Sequence, residues 1–266
     1  MLETLQDLSP VMGALLATLF TWSITALGAS IVFFFKKVNK TLMDALLGFA
    51  GGVMIAASFF SLISPALEMA DDLNMTSWLI ISLGFLSGGI LLFISDKVYD
   101  YLEKKRKKEN SSKAKRCFML ISSITIHNIP EGMAVGVAFG SLAYSLTGST
   151  LASALTLALG IGLQNFPEGS AVSLPLRREG YSRKKAFFYG QLSGIVEPIA
   201  AVIGALLVLK IRIILPFLLA FAAGAMIYVV VEELIPESQT NKKKDLMALF
   251  TILGFMVMMI LDVALG

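Results

Sequence analysis

Two copies of one six-residue pattern lie inside long apolar stretches of the chain: HNIPEG at residues 127–132 and QNFPEG at residues 164–169. Ionisable groups are costly in such stretches, and those found there mark ion or substrate pathways. Each copy supplies a carboxylate and an amide, and the first also contains His127, the only histidine of the chain. Two helices that each offer a carboxylate, an amide and a third ligand predict a water-excluding site for a divalent cation.

Helical spacing brings the polar side chains of each copy together. Residues four apart lie on one face of an α-helix, and residues three apart lie beside them. His127 and Glu131 can therefore contact one ion, while Asn128 and Glu131 can share a second. The other copy repeats this spacing with Gln164, Asn165 and Glu168. Glu131 and Glu168 are thus placed to bridge two ions.

Prolines and a third carboxylate complete the predicted site. Pro130 and Pro167 lack an N–H and clash with the carbonyl four residues back, so both helices should kink there. Glu197, followed by Pro198, places another carboxylate in an apolar stretch. Imidazole, carboxylate and amide ligands suit zinc, iron or manganese, and the lack of a thiolate argues against a softer metal.

These side chains also have purely structural interpretations. A lone histidine in an apolar run can be a satisfied structural residue, and the glutamates can be protonated structural acids. Asn128 and Asn165 can hydrogen-bond between helices. Gln164 is the weakest candidate ligand, because a neutral amide binds metals poorly. The doubled motif favours metal binding over these alternatives.

The composition places the motifs in a membrane. Of the 266 residues, 56% are hydrophobic and 15% are charged, and the mean hydropathy is +0.78. We predict an all-α polytopic membrane protein with a single domain over residues 1–266. The pI near 8.9 reflects basic loops, so the expected partner is a lipid bilayer and not nucleic acid. Cys117 is the only cysteine, which excludes an internal disulfide.

Eight apolar segments approach or exceed the roughly 20 helical residues that cross a bilayer. We predict them at roughly 11–35, 43–66, 77–98, 117–142, 148–174, 186–209, 213–235 and 246–264. Most of the 22 Lys and Arg lie in alternate loops, after segments one, three, five and seven. The positive-inside rule puts these loops in the cytoplasm and both termini outside. The lysine-rich stretch 103–116 is interpreted as a cytoplasmic linker that helps to set topology.

The segments also suggest inverted repeats. Residues 49–55 of segment two resemble residues 221–227 of segment seven, and the predicted topology runs these two segments in opposite directions. Segments four and five, which carry the two motif copies, are opposed in the same way. Inverted repeats with a site at their interface are a recurrent transporter design.

Other carboxylates lie near the ends of the predicted segments. They could attract a cation on one side of the membrane and receive it on the other. The outer candidates are Glu68 and Asp262, and the inner candidates are Asp96, Glu232 and Glu233. The alternative for each is a solvated helix end.

Through its paired motifs the sequence resembles the ZIP (Zrt-/Irt-like) family of divalent metal transporters, and within it the bacterial GufA-like branch. The resemblance covers essentially the whole chain. It implies a 3+2+3 arrangement of helices and a binuclear site between segments four and five. One metal would take His127, Glu131, Gln164 and Glu168, and the other Asn128, Glu131, Asn165, Glu168 and Glu197.

We therefore expect a transporter, and not an enzyme, that moves zinc into the cytoplasm across a bacterial inner membrane. Iron, manganese and cadmium are alternative substrates, and a homodimer is a candidate assembly. An intramembrane zinc enzyme usually carries a His-Glu-x-x-His motif, which one histidine cannot supply. A sensor that binds a metal without transporting it is the remaining alternative.

Overall fold

Helices form along the apolar stretches, because a helix satisfies the backbone N–H and C=O groups of each segment internally. The computed structural model describes residues 8–34, 39–106, 112–144 and 147–265. Within these ranges the regular structure is helical and contains no strand. The side chains of His127, Cys117 and the basic stretch 103–116 lie outside what is described.

The helices of the described ranges gather into eight rods, α1 to α8. Their bounds are Pro10–Phe34 (α1), Lys40–Asp72 (α2), Ser77–Arg106 (α3), Ser112–Ser141 (α4), Leu151–Arg178 (α5), Arg183–Lys210 (α6), Arg212–Ser238 (α7) and Lys244–Leu265 (α8). They coincide with the eight predicted segments to within several residues. The largest difference lies in the stretch 103–116, which is helical at both ends because α3 and α4 extend into it.

Six of the rods are long and apolar enough to cross a membrane: α1, α2, α3, α6, α7 and α8. The chain is therefore an integral membrane protein. Although α4 and α5 have 30 and 28 residues, enough for a crossing, each carries one of the polar motifs. The prediction of eight spans is met in part, by eight helical rods of which six qualify on length and composition.

Apart from a single turn residue in α1, Ser30, three of the rods are interrupted. In α2 the helix widens into a π-helical turn at Ser58–Ile63, and in α7 it does so at Val230–Leu234. A proline lies in the first turn after each of them, Pro65 and Pro236. The third interruption divides α6 into Arg183–Leu192 and Val196–Lys210.

The break in α6 has a local cause. Pro198 has no N–H to donate to the carbonyl four residues back, which belongs to Gly194. That carbonyl instead accepts the N–H of Glu197 at 3.1 Å, a contact three residues apart that tightens the turn. Glu197 consequently lies in the first turn of the second half of α6, beside three residues that are not α-helical.

Glycines allow two pairs of helices to touch around the motifs. Gly132 of α4 lies so close to the backbone of Glu197 in α6 that an added Cβ would overlap the Glu197 carbonyl. Gly169 of α5 makes an equally close approach to the backbone of Thr25 in α1. Both glycines end a motif copy, so the motifs fix helix packing as well as polar chemistry.

The remaining rods form two further close pairs. Gly52 of α2 lies against the backbone of Thr251 in α8, and Gly88 of α3 lies against that of Phe221 in α7. The tightest helix packing therefore joins α1 to α5, α4 to α6, α2 to α8 and α3 to α7. The segments 49–55 and 221–227 occupy equivalent places, since each ends shortly before the π-helical turn of its rod.

Candidate metal centre

Six polar residues of the predicted site are buried in the structure. Their side chains lie where α4 and α5 face each other beside the break in α6. The exposed fractions are 1% for Asn128, 1% for Glu131, 0% for Gln164, 0% for Asn165, 7% for Glu168 and 0% for Glu197. Burial of this much polarity in a membrane protein is costly unless the groups find partners.

The two motif copies meet directly. The side-chain amide of Gln164 donates to Glu131 Oε1 at 2.6 Å, which joins α5 to α4. The carboxyl groups of Glu168 and Glu197 are buried in the same region. The first copy and the second therefore contribute to one site, as their shared pattern predicts.

Glu197 is held from two sides. The amide nitrogen of Asn165 donates to both of its carboxylate oxygens, at 2.8 and 3.0 Å. The hydroxyl of Thr21, in α1, donates to Glu197 Oε2 at 2.5 Å. The same Asn165 nitrogen also lies 3.3 Å from the Thr21 carbonyl. Three helices thus converge on one carboxylate.

Asn128 is joined to the interrupted part of α6. Its amide nitrogen donates to the carbonyl of Ser193 at 3.0 Å. This carbonyl belongs to the break, where the backbone lacks a regular helical partner. Asn128 therefore stabilises the irregular turn that precedes Glu197.

The centre contains acceptor oxygens that no donor reaches. The side-chain amides of Asn128, Gln164 and Asn165 each donate through the nitrogen to a protein acceptor. Their carbonyl oxygens are not used in these hydrogen bonds. Four buried oxygens of the centre have no hydrogen-bond partner among the described residues: Asn128 Oδ1, Glu131 Oε2, Gln164 Oε1 and Asn165 Oδ1. Buried acceptors without donors are expensive, and bound cations would supply the missing partners. Carboxylate and amide oxygens are suitable ligands for a divalent ion of zinc or manganese type.

The carboxylates are not gathered tightly enough to form a preassembled cluster. Among the described side chains, no group of three or more His, Cys, Asp or Glu residues closes on a common point. His127, whose backbone lies in α4 one turn before Glu131, is not among those side chains. The structure brings together Glu131 with Gln164 and Asn165 with Glu197, as two neighbouring pairs.

A cavity of about 580 Å³ connects the centre to one end of the molecule. Glu168 lines it, together with Glu232 and Glu233 of the π-helical turn in α7. Lys40 and Asp44 of α2 and Thr240 of the loop after α7 line it as well. Lys40 and Thr240 are close in sequence to the basic residues that follow α1 and α7.

The five predicted relay acids separate into three environments. Glu232 and Glu233 line the cavity. Asp96, in α3, accepts a hydrogen bond from Tyr228 of α7. Asp262 accepts a hydrogen bond from Ser61, and Glu68 lies beside Gly148, so neither of these two borders the cavity. Their roles in ion movement stay predictions.

Sequence reasoning missed Thr21. The available signal is a row of polar residues on an otherwise apolar helix: Thr18, Thr21 and Thr25 are spaced by three and four residues and are all buried. Such a row indicates the face of α1 that meets other protein groups and not lipid.

Fold and site together define a class of protein: a helical membrane protein with an acceptor-rich polar centre that is reached through an acidic cavity. Comparison with known proteins identifies the family. The family model for the ZIP zinc transporters matches residues 9–117 and 103–262. The chain belongs to the ZIP zinc transporter family, which confirms the resemblance noted in the sequence.

Individual relatives cover nearly the whole chain. "Zinc transporter ZIP11" of Homo sapiens is 39% identical over 98% of this chain and 100% of its own length. "Zinc transporter GufA" of Myxococcus xanthus is 34% identical over 96% of this chain and 100% of its own length. "Zinc transporter ZIPB" of Bordetella bronchiseptica is 35% identical over 92% and 79%, respectively. Membership of this family confirms that the chain is a metal transporter and not an enzyme.

Proposed function

We propose that the protein carries Zn²⁺ across a bacterial inner membrane into the cytoplasm. The observation that carries the proposal is the set of four buried acceptor oxygens without donors at the α4–α5 centre. A structural polar cluster would pair these atoms with donors, whereas a transported cation pairs them while it is bound. The names of the relatives support zinc as the ion. Iron, manganese and cadmium are further candidate substrates.

The centre binds two ions, with Glu131 and Glu168 bridging them. The first ion takes His127, Glu131, Gln164 and Glu168. The second takes Asn128, Glu131, Asn165, Glu168 and Glu197. Support comes from the amide oxygens: Asn128 and Asn165 direct their nitrogens to the protein, which leaves each oxygen for the ion.

All eight rods cross the membrane, with both termini outside, in a 3+2+3 arrangement. The polar motifs of α4 and α5 do not prevent crossing, because they are buried against each other and against α6 and α1. Polar groups at membrane depth are tolerated when they face protein or a cavity. Lys40, which belongs to the basic region after α1, lines the cavity and favours the cytoplasmic side for that end.

The rods form inverted repeats, α1–α3 with α6–α8 and α4 with α5. Under this exchange the close pair α1–α5 becomes α6–α4, and the close pair α2–α8 becomes α7–α3, and all four pairs are among the tightest in the molecule. The matching π-helical turns of α2 and α7 add support. Alternating access then moves the bundle of α1, α4, α5 and α6 against that of α2, α3, α7 and α8.

The cavity supports an inward-open state and a cytoplasmic exit. An ion leaving Glu168 enters a space lined by Glu232 and Glu233, whose negative charge lowers the energy of a divalent cation on its way out. Glu68 and Asp262, near the opposite end, would collect the ion from outside. Assembly as a homodimer stays a prediction.

Uptake by purified protein tests the proposal. The protein is reconstituted in liposomes that contain a zinc-sensitive dye, and zinc is added outside. We expect saturable uptake that exceeds that of protein-free liposomes and that iron, manganese or cadmium reduce by competition. Zinc binding without uptake would favour a sensor, and the absence of both would refute the proposal.

A further inference from the structure

Helix α1 reaches the metal centre through one hydroxyl. Thr18, Thr21 and Thr25 are all buried, but they have different partners. The hydroxyls of Thr18 and Thr25 donate to carbonyls of their own helix, at 2.7 and 3.3 Å. Thr21 donates to the carboxylate of Glu197, 176 residues away in sequence, at 2.5 Å. Its other acceptor, the Thr18 carbonyl, is farther away, at 3.1 Å.

The neighbouring residue of α1 holds the other side of the break in α6. The indole N–H of Trp22 donates to the carbonyl of Gln191 at 2.8 Å. Consecutive residues of α1 therefore contact α6 just before and just after its interruption. Glu197 is the second residue of the helix that follows the break, so both contacts hold the segment that carries it.

Asn165 alone does not fix the carboxylate of Glu197. One amide nitrogen donates to both carboxylate oxygens. A carboxylate with a single donor can still rotate about that donor. Thr21 supplies a second donor to one of the two oxygens. Two donors from two helices define the direction in which the remaining lone pairs of Glu197 point.

We infer that Thr21 is a positioning residue of the metal centre: its hydroxyl orients the carboxylate of Glu197 as a ligand of the second ion. This inference rests on the proposed function. It adds to the metal ligands a residue from α1, and it explains why a threonine occupies that place on an apolar helix. The role belongs to the hydroxyl and not to the shape of the side chain.

Isosteric substitution separates the effect of the Thr21 hydroxyl from that of the side-chain shape. Thr21→Val removes the hydroxyl and keeps the volume, and we expect zinc to bind roughly tenfold more weakly, the scale of one hydrogen bond to a charged group. Thr21→Ser restores the donor and should bind zinc nearly as well as the original chain. Thr18→Val is the matched control, because that hydroxyl serves only its own helix. Calorimetric titration of the purified protein with zinc measures the affinities, and liposome uptake measures KM and maximal rate.

A second background shows whether Thr21 acts through Glu197. In protein that carries Glu197→Ala, Thr21→Val should change zinc affinity by less than twofold, because the side chain that accepts the Thr21 hydroxyl is gone. An equal loss in both backgrounds, or equal losses for Thr18→Val and Thr21→Val, would overturn the inference. So would tighter binding by Thr21→Val, which would mean that the hydroxyl competes with the ion. A chain with Thr21 intact that neither binds nor transports zinc would instead refute the proposed function.

Discussion

The protein buries two polar clusters, and they differ in how completely their atoms are paired. One lies where the start of α2 meets the loop between α7 and α8. There Asp44 is 3% exposed and its Oδ2 accepts from Lys40 and from Asn241, at 2.8 Å each. Ser238 donates to the Asp44 carbonyl at 2.7 Å. At the candidate metal centre, by contrast, four acceptor oxygens have no donor among the described residues.

The difference separates structural polarity from functional polarity. A paired cluster joins helices and leaves nothing for a ligand, whereas a cluster of leftover acceptors raises the energy of the empty protein and lowers it when a cation arrives. Asp44 and Glu131 are both buried acids in apolar helices, so their residue types alone do not distinguish them. Their partners do.

The largest effect should follow loss of a bridging carboxylate. Glu131→Ala or Glu168→Ala should abolish zinc uptake, because each glutamate is proposed to contact two ions. Liposome uptake at equal protein content measures this, with gel filtration of each variant as the control for folding. Near-normal uptake by either variant would contradict the binuclear site.

Replacing one buried acid of each cluster by its amide should affect the stability of the protein differently. Asp44→Asn weakens a paired network whose lysine is half-exposed, so we expect a loss of roughly 1 kcal/mol and about 2–4 °C in Tm. Glu131→Gln keeps an acceptor for the amide of Gln164, so it should not lower the Tm of metal-free protein. It should abolish the increase in Tm that zinc produces by binding the native state.

Thermal unfolding of both variants, with and without zinc, tests this comparison. Asp44→Asn should retain the zinc-dependent increase in Tm. If Asp44→Asn lost that increase while Glu131→Gln kept it, the assignment of the two clusters would have to be exchanged.

Replacing a weak ligand by a stronger one should moderately increase the affinity for zinc. Gln164→His offers a neutral imidazole, a better zinc ligand than an amide, and should bind zinc more tightly while lowering the maximal uptake rate. Titration and uptake on the same preparation measure both. Unchanged or weaker affinity would argue that Gln164 serves only to hold Glu131.

The smallest effect should come from the basic loop. Deletion of most of residues 104–115 should leave zinc uptake largely intact if this stretch only connects α3 to α4 and sets topology. The comparison with the full chain is made at equal membrane content. Complete loss of uptake by a correctly inserted variant would place a transport function in the loop.

The sequence by itself determined the class of fold and the residues of the candidate centre. Apolar segments of bilayer length predicted the helical rods, because helix formation in lipid depends on local composition. The doubled motif identified Glu131 and Glu168, since a charge is conspicuous in an apolar run. The spacing within each copy placed Asn128 and Asn165 beside them, because helical periodicity is local.

Only the tertiary structure decided which polar groups are paired. That Thr21 holds Glu197 depends on contact between α1 and α6, far apart in the chain, and a threonine on an apolar helix has many other ways to satisfy its hydroxyl. The break in α6 is suggested by Pro198, but its support by Trp22 and Asn128 is not. Hydrogen bonds between distant segments depend on helix packing, and packing is set by the whole set of close contacts rather than by any local pattern.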